Sequence, residues 1–160
     1  MLPANLAELN AVRDECKALV TRRAGISAAA AAVPIPGMDI GADITLLLDM
    51  IPAINRRFGL TPDQIDQLDP KLKKVVVVAV TSLGSDLIGK RVTKELVIQV
   101  LKRIGIRVTS KSVAKFIPLV GQALAAGVSF GAMKMVGNAH VEDCYRVAQQ
   151  LLLADQRAPA

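Results

Sequence analysis

The sequence predicts an all-α protein, a compact bundle of about six to eight helices. Apolar residues recur every three or four positions along most of the chain, which is the spacing of one face of an amphipathic helix. Of the 160 residues, 52% are hydrophobic but only 2% are aromatic, and such small and aliphatic side chains suit closely packed helices. Because no alternation of strands and helices occurs, the sequence does not favour an α/β fold.

The length and the cysteine content restrict the class of protein further. A chain of 160 residues is long enough for one domain with a substantial core. Its two cysteines exclude a disulfide scaffold, and it contains no Cys-x-x-Cys pair for zinc or redox chemistry. From these features and the motifs considered below, we expect no resident metal, no cofactor and no catalytic residues.

The first predicted helix is amphipathic and lies within residues 1–23. Asn5 and Glu8 have the spacing of a capping box, in which each side chain accepts a hydrogen bond from a free backbone N–H group. The helical pattern changes abruptly near Arg22 and Arg23, after which an uncharged, alanine-rich stretch begins. We therefore divide the chain into this helix, a helical domain over residues 24–153 and a flexible tail over residues 154–160.

Two short turns rich in proline and glycine predict hinges before two central helices. The first turn spans residues 34–37 and the second spans residues 118–121. A pair of glycines at four-residue spacing accompanies each turn, and this spacing lets helix backbones approach each other closely. The predicted structural hinges are Pro34, Pro36, Gly37, Pro118, Gly121, Gly127 and Gly131.

Start and stop signals divide the rest of the chain into further helices. A second helix follows the first turn, and Thr61 with the proline after it then caps a short helix. Residues 71–88 include four successive valines, which favour a strand, but the apolar run is too long for one and we interpret it as a helix. Thr93 caps another helix, and the last long helix ends near Leu153.

Positive charge is concentrated in one window of the chain. Between residues 90 and 115 there are eight basic residues and a single acid, whereas the net charge of the whole chain is +6. This basic stripe consists of Lys90, Arg91, Lys94, Lys102, Arg103, Arg107, Lys111 and Lys115. Such a stripe can meet the phosphates of an anionic membrane surface, or it can be a solvated helix face. Nucleic acid is disfavoured because the stripe lacks aromatic side chains that stack on bases.

Residues 84–91 resemble a P-loop, the glycine-rich loop that binds the phosphates of a nucleotide. The segment Gly84-Ser-Asp-Leu-Ile-Gly-Lys-Arg91 fits the pattern up to its last position. There Arg91 replaces the Ser or Thr whose hydroxyl group binds magnesium. The sequence therefore argues against a nucleotide site.

Residues 116–133 form an uncharged stretch of eighteen positions, the lower limit for a membrane-spanning helix. Prolines and glycines interrupt this stretch, so we favour a buried core helix over insertion into a bilayer. Both interpretations stay open from the sequence alone.

His140 and Cys144 lie one helical turn apart and form the strongest candidate for catalysis. A cysteine activated by a neighbouring histidine is a recurring nucleophile in enzymes. However, the sequence contains no evident group to orient the imidazole and no evident oxyanion site. We therefore expect these two residues to lie on a solvated helix face.

A set of short segments, taken in order, resembles the helical domain of immunity-related (interferon-inducible) GTPases. The segments are 28–37, 41–48, 58–60, 93–97, 115–121 and 125–131. The resemblance covers residues 24–153, and related helical domains occur in bacterial GTPase-associated proteins. It implies a helical module without catalytic residues that takes part in self-association and membrane attachment. It does not imply GTP hydrolysis, because the family's nucleotide-binding domain does not match the residues ahead of this region.

These observations lead to one main hypothesis and two alternatives. The main hypothesis is a non-enzymatic helical module that associates with an anionic membrane surface or with a protein partner such as a GTPase. We expect it in the cytoplasm, peripheral at the membrane, and able to form homo-oligomers. The first alternative is a helical subunit that acts in trans in a split GTPase. The second is an enzyme of low activity that uses Cys144 and His140.

Overall fold

The computed structural model describes residues 2–31, 38–100, 102 and 121–156; for residues 30–31, 38–43 and 121–129 it describes only the helical backbone. The helices with defined ends are α1 (Leu6–Ala31), α2 (Met38–Arg57), α3 (Pro62–Asp66), α4 (Pro70–Leu83) and α5 (Gly121–Gln156). Residues 94–100 are helical as well. The described residues contain helices and no strand, which confirms the predicted all-α class.

Among the described residues, the number of helices with two defined ends is smaller than the predicted number. Five helices have defined ends within the described residues, whereas the sequence suggested about six to eight. One reason is α1, which continues past Arg22 and Arg23 to Ala31. Alanine has the highest helix propensity, so the loss of amphipathic spacing does not end the helix there. The division that we placed after residue 23 falls inside a single helix.

The N-terminal caps expected from the sequence are present. Asn5 Oδ1 accepts a hydrogen bond from the Glu8 N–H group at 2.9 Å, at the start of α1. Thr61 and Gln64 form a reciprocal capping box at the start of α3. Thr93 Oγ1 accepts a hydrogen bond from a backbone N–H group at 3.3 Å, before the helical residues 94–100. These bonds satisfy N–H groups that have no partner within the helix.

The four successive valines lie in a helix, as we predicted, and not in a strand. Asp69 caps α4 by accepting hydrogen bonds from two backbone N–H groups at 2.7 and 3.0 Å. Gly84 ends this helix in the left-handed conformation, with a φ of 63° that other residues rarely adopt. The helix is shorter than the predicted 71–88 segment, because it stops at Leu83.

An antiparallel pair of long helices, α1 and α5, forms the centre of the fold. Early residues of α1 meet late residues of α5: Arg13 forms an ion pair with Glu142 at 2.7 Å. The Tyr145 hydroxyl group also donates a hydrogen bond to Asn10 Oδ1 at 2.9 Å. Helix α2 packs on both members of the pair, and α4 packs on α5.

Gly137 lies at a close contact between α5 and its neighbours α1 and α2. A Cβ atom placed on it would lie 2.6 and 2.7 Å from the two methyl groups of Val20 in α1. The same atom would lie 3.0 Å from the end of the Met50 side chain in α2. Three helices therefore converge where α5 has no side chain.

The predicted glycine hinges do not include this position. Among the described residues, a Cβ atom on Gly131 would have no neighbouring atom within 4 Å, unlike one on Gly137. Six residues separate it from Gly137, which places the two about 120° apart around a helix. Gly121 begins α5, but the side-chain surroundings of Gly121 and Gly127 lie outside the description. The hinges Pro34, Pro36, Gly37 and Pro118 also lie outside the described residues.

The close contact at Gly137 predicts a specific pattern of stability. We expect Gly137→Ala to lower the free energy of unfolding by about 1–3 kcal/mol, because buried Val20 and Met50 have to move aside. The matched control, Gly131→Ala, gains helix propensity without a clash and should raise stability by about 0.5–1 kcal/mol. Urea denaturation of the three proteins measures both changes. Equal midpoints for the two variants would contradict the assigned packing.

Candidate functional site

A buried polar cluster lies between α2 and α5, and it contains the histidine and the cysteine singled out above. Asn55 in α2 and His140 in α5 are each 2% exposed, and Cys144 is fully buried. Four residues separate His140 from Cys144, so both side chains project from the same face of α5. The expectation that they lie on a solvated face is therefore wrong.

Asn55 determines how the cluster is hydrogen-bonded. Its Nδ2 group donates to the carbonyl oxygen of Leu87 at 2.8 Å, and because a carbonyl only accepts, this bond sets the orientation of the amide. Asn55 Oδ1 then faces His140 Nε2 at 2.9 Å and accepts from the Cys144 thiol at 3.4 Å. Since Oδ1 also only accepts, the proton of the imidazole is on Nε2. His140 Nδ1 is left without a hydrogen-bond partner among the described residues.

Burial keeps both candidate catalytic groups uncharged at neutral pH. Loss of solvation lowers the pKa of His140 to about 4. It also raises the pKa of the Cys144 thiol well above its ordinary value, and the neighbouring Cys16 and Asp143 act in the same direction. Cys144 Sγ lies 3.5 Å from His140 Nε2, but that nitrogen already carries a proton and cannot accept one from the thiol. The arrangement therefore lacks the thiolate that a cysteine nucleophile requires.

A spacing signal in the sequence could have placed both groups in the core. His140 lies four residues after Val136 and four before Cys144, and all three belong to one buried stripe of α5. Asn55 lies four residues after Ile51, which is itself buried. Sequence reasoning missed Asn55 because a single polar residue near a helix end is usually solvated.

The basic stripe is exposed wherever the structure describes it. Lys90, Arg91, Lys94 and Lys102 are all exposed. Arg103, Arg107, Lys111 and Lys115 lie outside the described residues. The loop that carries the first two cations is held to the core by the bond from Asn55 to Leu87 and by one from the Gly89 N–H group to the Leu60 carbonyl, at 3.2 Å. The buried cluster and this loop are thus directly connected.

The segment that resembles a P-loop does not have P-loop geometry. A P-loop joins a strand to a helix, but residues 84–91 follow helix α4. The part of the chain that the structure describes contains no group of three acidic, histidine or cysteine side chains that could hold a metal ion. It also contains no helix long and apolar enough to cross a membrane.

An exposed apolar surface on α4 is a second candidate site. Val77 and Val78 are 63% and 66% exposed, the highest values among the large apolar side chains of the described residues. Lys71 and Lys74 lie one to two turns away on the same helix, are exposed, and form no ion pair with any described acid. Sequence reasoning missed this surface, although one helix cannot bury four successive side chains on the same side.

The buried histidine predicts a loss of stability in mild acid. In the unfolded chain its pKa is about 6.5, and burial lowers the pKa to about 4, so the unfolded state binds the proton first as the pH falls. The free energy of unfolding should have its full value well above pH 6.5. It should decrease by about 3 kcal/mol as the pH approaches 4. Because His140 is the only histidine, no other imidazole titrates in this range.

The matched variant for this experiment is His140→Gln, which keeps a donor for Asn55 Oδ1 but does not titrate. We expect its urea midpoint to change much less than that of the parent between pH 7 and pH 4.5. Parallel pH curves for the two proteins would show that burial of the imidazole does not cause the effect.

The amino-acid sequence of this chain is similar to part of one known GTPase. The chain is 27% identical to interferon-inducible GTPase 5 of Rattus norvegicus over 158 residues, which covers 95% of this chain and 34% of the relative. It is 28% identical to interferon-inducible GTPase 5 of Bos taurus over 131 residues, which covers 81% of this chain and 28% of the relative. No protein-family model and no solved structure matches. The chain thus spans about a third of the length of these relatives and is similar to a part of them.

Proposed function

We propose that this protein is a non-enzymatic helical module that associates with another macromolecule. The observation that carries this proposal is the exposed apolar and cationic surface of α4. Val77 and Val78 are largely exposed, so a bound partner would remove much of their apolar surface from water. That burial would stabilise the complex. Lys71 and Lys74, which form no ion pair with a described acid, add positive charge beside them. Such a surface is typical of an interaction site.

The state of the buried cluster supports the non-enzymatic part of the proposal. His140 and Cys144 are in contact, but burial keeps both neutral and neither is accessible to a substrate in this conformation. Their hydrogen bonds with Asn55 give them a packing role between α2 and α5. The alternative of a cysteine–histidine enzyme would need this core to open.

An anionic membrane surface is one partner, favoured by the exposed cations Lys90, Arg91 and Lys94. Each contributes about 1 kcal/mol of attraction to anionic lipid when it lies near the surface. We expect co-sedimentation with vesicles that contain phosphatidylserine, weakened by salt, and none with pure phosphatidylcholine. Replacing the three cations by Glu should reduce binding at least about 100-fold.

The control for this vesicle experiment has the same change of charge at a different place. Arg22, Arg56 and Arg146 are also exposed and lie outside the basic stripe. Replacing these three by Glu should reduce binding much less. Equal effects of the two triple variants would mean that only net charge matters, and failure to bind either kind of vesicle would remove the membrane from the proposal.

A GTPase is the second partner class, favoured by the extent of the similarity. Almost the whole chain matches a part of interferon-inducible GTPase 5 that makes up 34% of that relative. We infer that this protein supplies, in trans, a helical part to a separate GTPase.

The test is affinity purification with the immobilised chain in the presence of GDP, a non-hydrolysable GTP analogue or no nucleotide. We expect a GTP-binding protein to be enriched in one nucleotide state over the others. A Val77→Asp, Val78→Asp double variant should lose it if α4 is the contact. Failure to enrich any GTPase in all three states would argue against the split-GTPase function.

A further inference from the structure

The two ends of the described chain lie together at one end of the helix bundle. A small cavity of about 80 Å³ has Leu2 of the N-terminal segment in its lining, together with Leu151, Leu152 and Asp155 of α5. The antiparallel pairing of α1 and α5 produces this arrangement, because it puts the first turn of α1 beside the last turn of α5. We call the surface formed by residues 2–6 and 155–156 the terminal surface.

The terminal surface is fixed to the bundle and presents an apolar side chain to water. Leu2 packs against the core, and a Cβ atom on Gly59 would lie 3.1 Å from the backbone nitrogen of Leu2. The Ala4 N–H group donates a hydrogen bond to Glu8 Oε2 at 2.8 Å, which ties the N-terminal segment to the start of α1. Leu6, the first residue of α1, is 46% exposed. A partner that binds here therefore meets a preformed surface with an exposed leucine.

The extent of the similarity to the rat GTPase indicates which partner lies at this end. The match takes in 95% of this chain, so its two limits fall close to the two ends of the chain, whereas it takes in only 34% of the relative. The other residues of the relative are therefore joined to the matched part at one or both of those limits. In this fold both limits correspond to the same end of the bundle. The rest of the relative is thus joined next to the terminal surface, whichever limit carries it.

We propose that the separate GTPase docks on the terminal surface and contacts Leu6. There it takes the place, next to the helical part, that the rest of the chain takes in the relative. This inference rests on the proposed function and names the surface at which that partner binds. The charges beside this surface are mixed, because Asp69, Lys71 and Asp155 line one pocket. We therefore assign the contact to the position of the surface and to Leu6, and assign no sign of charge to the partner.

The probe for the test is the GTP-binding protein that the chain enriches in the affinity purification above, produced in pure form and kept in its preferred nucleotide state. Its affinity for the full chain is measured by biolayer interferometry. We expect Leu6→Asp to weaken binding at least tenfold and the matched control Ile26→Asp to change it less than twofold. Ile26 is 47% exposed, as Leu6 nearly is, but lies twenty residues further along α1, a distance of about 30 Å.

A second measurement does not depend on weakening the complex. A photoreactive benzoylphenylalanine at position 6 or 156 should cross-link to the GTPase, whereas the same group at the exposed positions 26 and 135 should not. Circular dichroism checks that each variant is folded, which we expect because all four side chains are exposed.

Two kinds of result would overturn the inference, and they differ in what they say about the function. Equal weakening by Leu6→Asp and Ile26→Asp, or cross-links from positions 26 and 135 and not from 6 and 156, would place the GTPase elsewhere on the bundle. The proposed function would then stand without this surface. If the chain enriches no GTP-binding protein in any nucleotide state, the split-GTPase function and this inference fail together.

Discussion

The contact between α1 and α5 at Gly137 is the constraint on which the rest of this structure depends. The backbone of α5 approaches Val20 so closely that even a methyl group would not fit without movement. The end of the Met50 side chain of α2 lies at the same point, so the position of the third helix depends on the first two. In a core with so few aromatic side chains, close backbone approach supplies packing contacts that large rings supply elsewhere.

The buried polar cluster extends this constraint from the core to the surface. Asn55 links His140 and Cys144 of α5 to the carbonyl of Leu87, and Leu87 belongs to the loop that carries Lys90. A buried amide that makes all these bonds is stable in one orientation, and breaking any of them leaves a polar group unsatisfied. The exposed cations are therefore presented by a loop whose position depends on a neutral core. His140 and Cys144, which resemble a catalytic pair in sequence, are thus hydrogen-bonded through Asn55 to another helix and to this loop.

The sequence predicted local features well and tertiary features poorly, for physical reasons. Caps at Asn5 and Thr61 depend on a few neighbouring residues, so their side-chain types were enough to find them. The close-approach glycine could not be chosen in this way, because Gly131 and Gly137 are both helical and differ only in the face they occupy. The burial of His140 was different, because its four-residue spacing from Val136 and Cys144 was a usable signal that we did not weigh. Which face of a long helix is buried depends on the partner helices, and a single sequence does not show them.

Helix α4 shows how an ambiguous pattern in sequence becomes an unpaired surface in structure. Four successive valines suit a strand buried on both faces, where each side chain would be covered. In a helix the same four residues point in four directions; only Val76 is buried and Val75 is half-buried, while Val77 and Val78 face water. Their exposure costs solvation free energy that polar residues at these positions would avoid. Among the described residues, the lysines that flank this surface form no ion pair, and an exposed apolar surface beside free cations is the feature on which the proposed interaction rests.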